Sequence, residues 1–443
     1  MMRMTVAHVS LCWLAVWACA CGTRIAETTE KPSGHAANDG GSTACGALAT
    51  RIHVTSFDAG SMVLANDEYH PVVIAPRRVG SLVAWRASAD NAIRVASLDA
   101  SDHPTTRSFL ELSGAEVHAL VAPDDSGGVL AIVSDDPNIY SSQYCISAAT
   151  PNNAGHCQKL ELVRFDDAGQ IRWRSTLTGS LPVDTAGALF VWSPFQHTTR
   201  VVWNGTWYGV YFRSATSTPM VGNASEIEMH TGDTLRFVDE GGNPLAKGGW
   251  DFGCTNSWSV RLAYDGHFLA GCHSDPAPNA LRLAVLDPVP SPALATVSLL
   301  EGSDPYRRAL GGVVPSASGF WLDYIADENG TLTLRLARVT DTATISQDQG
   351  IDTAQNLDAR YPFRPYLAAY GAGRLLLGYK SGGVLHVALA DAATGALIEG
   401  PIATSAPIDQ FQDFVSDPNG DVVWAYSSGN SSEIQVVRVA ACR

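Results

Sequence analysis

The sequence predicts an all-β fold made of repeated strand–turn–strand units, and three observations lead to this prediction. No segment after Cys45 shows the apolar periodicity of an amphipathic helix of ten or more residues. Short apolar runs alternate instead with turns rich in glycine, asparagine and aspartate. The leading strands of these units begin near residues 81, 129, 207, 268, 319, 374 and 421. Antiparallel repeats about 50 residues long are typical of a β-propeller, with four strands in each blade.

The number of units predicts seven blades, and the uneven spacing leaves six or eight blades, or another all-β fold, as alternatives. The widest gap contains the longest insertion, residues 140–158, which is expected on one face of the propeller. We expect the ring to close through the N-terminal strand. In that arrangement, residues 51–56 add an outer strand to the last blade, beside residues 432–440.

The clearest unit runs from Trp250 to Asp287. Residues 259–263 and 268–272 are predicted strands joined by the turn Asp265-Gly266, and residues 281–286 form a third. An Asp-Gly pair between apolar runs favours a tight hairpin, because such turns need positive φ. In a hairpin centred on this pair, Cys272 is expected to face Ser259.

Residues 1–20 have the features of an export signal. Arg3 is followed by an apolar run, residues 6–20, that is too short to span a bilayer and ends in small residues and cysteine. The end of this run, LAVWACACG, resembles a bacterial lipobox, whose cysteine receives a diacylglycerol. The resemblance implies Cys21 as the lipid anchor, with Cys19 as the alternative. An ordinary cleaved signal peptide is the other interpretation.

The chain is therefore divided into three parts. Residues 1–20 are the signal peptide, and residues 21–44 are the lipidated cysteine followed by a tether rich in threonine, serine, glycine and alanine. Residues 45–443 are the propeller domain.

Six cysteines remain after those of the signal and anchor, an even number that suits disulfides in an exported chain. Fifteen connectivities are formally open. Ring closure would bring Cys45 beside Cys442, and Cys145 with Cys157 would staple the long insertion. Cys254 and Cys272 are the remaining pair.

Composition limits the partners. The net charge is −15 and there is no basic run, which argues against nucleic acid and against an electrostatic hold on anionic lipid. We therefore expect contact with a membrane through the lipid anchor only, and we expect a monomer.

The chain lacks the common catalytic and phosphate-binding motifs. No catalytic residue, metal or cofactor is predicted. The densest polar group lies around the clearest unit, and we interpret Asp251, Asn256, His273 and Asp275 as candidate binding residues, because Asp and His at a strand end can hold a cation or form a pH-tuned pair. Turn capping is the simpler interpretation of the same residues.

Repeats such as LVRFDDAGQIRW and VVWNGTWYGVYF, together with the lipobox, make the chain similar to bacterial secreted β-propeller lipoproteins over residues 45–443. The resemblance implies a fold and a location: export and lipid anchoring in the bacterial cell envelope, at the outer membrane or cell surface. It suggests a binding or scaffold module for a protein or glycan. The alternative is a propeller enzyme, a glycosidase or lyase acting on polysaccharide, because such enzymes take Asp/Glu pairs from different blades.

Overall fold

The computed structural model describes residues 46–64, 72–105, 108–113, 115–135, 157–180, 188–192, 199–220, 223–245, 250–251, 253–254, 257–274, 280–287, 295–352, 364–409 and 412–442. The chain divides into two compact units, residues 1–45 and 46–443, and all the described residues belong to the second. The predicted signal peptide, tether and anchor, Cys21 or Cys19, lie outside the described residues. Within those ranges, no helix is long and apolar enough to cross a bilayer.

Nearly all regular structure in the described residues is β. The first half of the chain forms β1 (Ile52–Asp58), β2 (Val72–Pro76), β3 (Ser81–Arg86), β4 (Ala92–Leu98), β5 (Leu110–Ser113), β6 (Ala115–Val121), β7 (Gly128–Asp135), β8 (Cys157–Phe165), β9 (Ile171–Thr176), β10 (Gly179–Ser180), β11 (Ala188–Trp192), β12 (Arg200–Trp203), β13 (Trp207–Met220) and β14 (Asn223–Asp239). The second half forms β15 (Trp250–Asp251), β16 (Ser259–Asp265), β17 (His267–His273), β18 (Leu281–Leu286), β19 (Ala295–Leu299), β20 (Ala309–Ser316), β21 (Gly319–Glu328), β22 (Thr331–Val339), β23 (Ile345–Asp352), β24 (Tyr366–Tyr370), β25 (Arg374–Ser381), β26 (Val384–Asp391), β27 (Leu397–Thr404), β28 (Val415–Ser416), β29 (Val422–Tyr426) and β30 (Glu433–Val439). Two short 3-10 helices, Leu48–Arg51 and Pro305–Arg307, complete the structure.

These strands build an all-β propeller of antiparallel sheets. Five sheets have four strands each, in the orders β2-β3-β4-β5, β16-β17-β18-β19, β20-β21-β22-β23, β24-β25-β26-β27 and β1-β30-β29-β28. The sixth is a ten-stranded sheet that contains β6 to β15. Five blades are therefore separate in the described residues, and the sheet assignment does not confirm the predicted count of seven.

The sheets pack face to face around a ring. Seven hydrophobic clusters lie between neighbouring groups of strands, and each draws side chains from both neighbours. Trp85, Trp321 and Trp424 are almost fully buried in three of these clusters, so these large rings fill the wedges between twisted sheets. The innermost strands contact one another in a closed order: β2, β6, β12, β16, β20, β24, β28 and back to β2.

The ring closes through its two chain ends, as the sequence predicts. The strand β1 pairs antiparallel with β30, with Ile52 opposite Val439 and Asp58 opposite Glu433. Arg51, just before β1, donates hydrogen bonds to Tyr370 Oη at 2.9 Å and to Glu399 Oε2 at 2.7 Å. The N-terminal segment therefore ties the last sheet to its neighbour as well as completing it.

The β16–β17 hairpin differs from its predicted register by one residue. Asp265 pairs with His267, so Gly266 alone forms the bend, at φ 77°. Cys272 consequently lies opposite Val260, and Ser259 lies opposite His273. The prediction placed two residues in the turn; the single glycine shortens it and shifts every cross-strand pair.

Candidate functional site

The candidate site is a buried group of charged side chains where the innermost strands surround the central channel. Its members are Arg200 at the start of β12, Arg261 within β16, Arg364 just before β24 and Asp413 just before β28. We call these four residues the channel cluster. They come from four parts of the ring, so only the folded propeller brings them together.

A bulge in β20 positions Arg261. The β20–β21 register shifts between Leu310 and Val313, which frees the carbonyl of Gly311 to accept a hydrogen bond from Arg261 Nε. A Cβ on Gly311 would lie 2.0 Å from Asp323 Oδ1, so only glycine fits there. Arg261 Nη1 also donates to Val260 O at 3.0 Å. The guanidinium is thus held by backbone carbonyls, and Arg261 as a whole is 3 % exposed.

Asp413 lies between two of the arginines. Its Oδ2 is 2.7 Å from Arg200 Nε and its Oδ1 is 3.6 Å from Arg261 Nη2. Burial opposes ionisation of Asp413, but Arg200, Arg261 and Arg364 outweigh it and lower its pKa to about 2. Asp413 is therefore a carboxylate at neutral pH, and about a third of its side-chain surface remains accessible.

Asp323, on β21, is a second carboxyl group near the cluster, with the opposite behaviour. It is fully buried, and burial raises its pKa well above the usual range despite a 2.6 Å hydrogen bond from Gly312 N. The group is thus biased towards its neutral form. It contributes less negative charge than a solvated aspartate would.

Positive charge therefore exceeds negative charge at this place. Burial and the neighbouring Arg364 lower the pKa of Arg261, the sign of cations crowded together away from water. Asp409 is the other nearby acid, and its backbone carbonyl accepts a hydrogen bond from Tyr366 Oη at 3.0 Å. Counting three arginines against Asp413 and Asp409, with Asp323 taken as neutral, leaves one positive charge (3 − 2 = 1) among the described residues, in a chain whose net charge is −15.

A cavity of about 170 Å³ adjoins the cluster between β2, β6, β12 and the segment before β28. Arg200 and Asp413 line it, together with His118 and Gln412. His118 Nδ1 lies 3.1 Å from Thr199 Oγ1. Burial, together with Arg200, lowers the pKa of His118 to about 3, so this imidazole is neutral at physiological pH.

Two of the residues predicted from sequence to bind a ligand, His273 and Asp251, are described, and neither belongs to the channel cluster. His273 ends β17, where it is 4 % exposed and packs against Trp258 with ring centroids 5.0 Å apart. Burial, followed by Arg308, lowers the pKa of His273 to about 3. Asp251 belongs to β15, and Asn256 and Asp275 fall outside the described residues. Their role in binding stays a prediction.

Cys254 and Cys272 form a disulfide, with their Cα atoms 6.0 Å apart. Together with Asp233 they are the one set of potential metal-ligating side chains that lie close together in the described part of the chain. Disulfide sulfurs are not thiolate ligands, so this set does not form a metal site while the disulfide is intact. Cys442 is also disulfide-bonded. Its predicted partner Cys45, and the predicted pair Cys145–Cys157, involve residues or side chains outside the description.

Sequence inspection missed the channel cluster because its members are far apart and belong to no motif. Arg200 and Arg261 are separated by 61 residues (261 − 200), and Asp413 follows 152 residues after Arg261 (413 − 261). One signal was present: in SVRLA, residues 259–263, a single arginine interrupts an otherwise apolar innermost strand. A cation in such a position needs a buried partner, and Asp413, just before β28, supplies it.

No protein-family model and no curated protein matches the chain. Solved structures resemble it at low identity. The WD40 domain of Toxoplasma gondii coronin is 12 % identical over 88 % of this chain and 87 % of that chain, with a TM-score of 0.46. The Dos1 propeller is 10 % identical over 82 % and 76 %, with a TM-score of 0.43. An α-L-arabinofuranosidase from Fusarium graminearum is 10 % identical over 87 % and 97 %, with a TM-score of 0.39.

Proposed function

We propose that this propeller is a binding module whose ligand, or whose protein or glycan partner, inserts an anionic group into the central channel. The observation that supports the proposal is the channel cluster itself, in which three arginines surround one ionised acid. Arg200 Nη2 and Arg261 Nη2 have no hydrogen-bond acceptor among the described residues. Buried donors of this kind are costly, and an anion that accepts from them would be held strongly.

The proposal is tested by ligand-dependent thermal unfolding of the full-length protein. Acetate and sulfate are titrated at constant ionic strength against wild type, Arg200→Met and Arg261→Met. A ligand at 100 times its Kd stabilises the native state by about 2.7 kcal/mol. We expect saturable stabilisation of the wild type and its loss in both variants. Arg78→Met removes an arginine that is 79 % exposed and serves as the control. Equal responses in all four proteins would contradict the proposal.

We propose further that the ring has seven blades. The closed order of innermost strands contains β2, β6, β12, β16, β20, β24 and β28. In the ten-stranded sheet, β6-β7-β8-β9 and β12-β13-β14-β15 each pair as a four-stranded blade, and β11 joins them by pairing with both β8 and β13. An experimental structure that orders the strands differently would overturn this count.

The proposed setting is the bacterial cell envelope, with the propeller monomeric and anchored through Cys21. Metabolic labelling with a fatty acid tests the anchor. Cys21→Ser should abolish labelling and release the protein from membranes, whereas Cys19→Ser should retain both. The reverse result would assign the anchor to Cys19. Crosslinking in cells followed by mass spectrometry would then identify the partner, which we expect to present acidic groups.

An enzyme acting on polysaccharide is the second candidate, favoured by one observation. Asp413 contributes to the raised pKa of Asp323, and the pKa values of the two carboxyl groups are displaced in opposite directions, as in a general base and a general acid. The burial of Asp323 restricts its access to a substrate. Glycan turnover that disappears in Asp413→Asn and in Asp323→Asn would establish the enzyme; binding without turnover would leave the binding module.

A further inference from the structure

The volume and the lining of the cavity beside the channel cluster indicate which kind of anion fits the site. Its volume, about 170 Å³, is close to that of an engineered apolar cavity of roughly 150 Å³ that accepts one benzene molecule. Apolar side chains form much of its wall: Val72, Ile74, Leu120, Val201 and Val415. The space therefore suits a small aliphatic group better than a chain of hydrated sugars.

Gln412 lines this cavity and carries a buried acceptor that no donor in the described structure satisfies. Its Nε2 donates to Val72 O at 2.9 Å, which fixes the orientation of the amide because a carbonyl can only accept. The side chain is 7 % exposed, and Oε1 has no donor within the described ranges. A ligand that brings a hydroxyl or amine donor would satisfy this oxygen.

Arg200 lines the same cavity and carries a buried donor. Its Nη1 donates to Thr199 O at 2.9 Å and its Nε faces Asp413, which leaves Nη2 without an acceptor in the described structure. The side chain is 13 % exposed. A ligand carboxylate would accept from Nη2.

The charge of the ligand is limited by its surroundings. Asp413 is ionised 2.7 Å from Arg200, and the neutral His118 adds no positive charge to the cavity wall. The three arginines exceed Asp413 and Asp409 by one positive charge, so a second negative charge on the ligand would be repelled by Asp413 with no excess cation left to offset it. A monoanion fits this balance better than a phosphate dianion.

Resting on the proposed function, we propose that the channel site takes a small monocarboxylic acid with a hydroxyl next to the carboxylate and a short aliphatic tail. The carboxylate binds Arg200, the hydroxyl donates to Gln412 and the tail fills the cavity. The site therefore distinguishes 2-hydroxy acids from simple fatty acids and from inorganic anions.

Isothermal titration of the full-length protein tests this with three probes: 2-hydroxyisovalerate, isovalerate and sulfate. A site built to hydrogen-bond a hydroxyl discriminates strongly against the analogue that lacks it. We expect the hydroxy acid to bind at least ~10-fold more tightly than isovalerate, since one hydrogen bond to a buried acceptor is at stake. Gln412→Met should remove this preference while isovalerate still binds, which also shows that the variant has folded. Gln435→Met, in the outer part of the last sheet, is the control.

Each outcome separates the inference from the proposed function. Equal affinity for the hydroxy acid and isovalerate, or tighter binding of sulfate, would overturn the inference and leave anion binding in the channel intact. A preference that survives in Gln412→Met would also overturn it, because the hydroxyl would then be recognised by another group. If none of the three anions binds, this inference and the proposed channel site both fail.

Discussion

Two buried charge clusters in this propeller have opposite compositions of arginine and aspartate. At the ring closure, one arginine, Arg438 of β30, contacts three acids, Asp102, Asp417 and Asp421; we call these four residues the closure cluster. In the channel cluster, three arginines surround one ionised acid. The two clusters differ less in burial than in how completely their hydrogen bonds are satisfied.

Every carboxylate oxygen of the closure cluster has a donor. Arg438 binds both oxygens of Asp102 at 2.8 Å and reaches Asp417 Oδ2 at 2.6 Å and Asp421 Oδ2 at 3.1 Å. Backbone N–H groups supply the remaining oxygens: those of residues 419 and 421 donate to Asp417, and that of Ala441 donates to Asp421. Burial disfavours the charge on Arg438, but Asp102, then Asp417 and Asp421, raise its pKa above the ordinary value. A cluster completed in this way stabilises the fold, whereas one with unused donors is suited to a ligand.

The largest effect is expected at the closure cluster. Arg438→Met leaves three buried acids without their shared cation, and breaking a buried ion pair from one side costs about 3–5 kcal/mol. Urea unfolding at neutral pH measures the loss. Arg172→Met removes a surface arginine, 63 % exposed and paired with Asp166, and should cost less than about 1 kcal/mol. A loss for Arg438→Met no larger than for this control would contradict the structural role of the cluster.

The second-largest effect is expected in the pH dependence of the free energy of unfolding, through His118 beside the channel cluster. His118 has a pKa of about 3 in the native state against 6.5 when unfolded, so the unfolded chain binds an extra proton between these values. Stability contributed by neutral His118 is complete above pH 6.5 and is lost as the pH falls towards 3. At pH 4.5, two units below 6.5, the loss is about 3 kcal/mol. Urea unfolding at pH 7.5 and 4.5 should show a smaller difference between the two pH values in His118→Gln; an unchanged difference would refute the assignment.

The smallest effect is expected for Asp413→Asn. It removes the one ionised acid between the channel arginines, but its partial exposure limits the cost to about 1–2 kcal/mol. Added acetate should recover this loss, since an anion can take the place of the carboxylate. The matched comparison is Asp417→Asn in the closure cluster, whose loss acetate should not recover. If acetate restored the stability of both variants, or of neither, the proposed difference between the two clusters would be contradicted.

Local sequence patterns predicted much of the fold, because hairpins depend on neighbouring residues. The turns at Gly266 and at Asn329-Gly330 adopt positive φ, as the sequence suggested. The closing pair β1–β30 was also predicted, since a ring requires its ends to meet. Blade boundaries were harder to place. A better marker is the acid that caps the turn after β4, β8, β14 and β26: Asp99, Asp166, Asp239 and Asp391 each accept backbone N–H groups there.

The channel cluster could not be derived from the sequence. Its residues lie on, or just before, the innermost strands of different sheets, and which of their side chains meet depends on strand register and on the bulge at Gly311. The β16–β17 hairpin shows how sensitive side-chain position is to register: a shift of one residue from the predicted register places Val260, and not Ser259, opposite Cys272. The candidates Asp251, Asn256, His273 and Asp275 were chosen by closeness in sequence, whereas the channel site is assembled from distant segments.

The pairing of β1 with β30 has a consequence for biosynthesis. Val54 of β1 pairs with Val437 of β30, 383 residues later (437 − 54). During synthesis, β1 therefore stays without this partner until β30 has been made. At roughly 5–20 residues per second, this wait is on the order of 20–80 s. An unpaired apolar strand would be an aggregation hazard during that time. β1 reads IHVTSFD, and only Phe57 is buried in the finished ring, so this strand carries little apolar surface while its partner is still being synthesised.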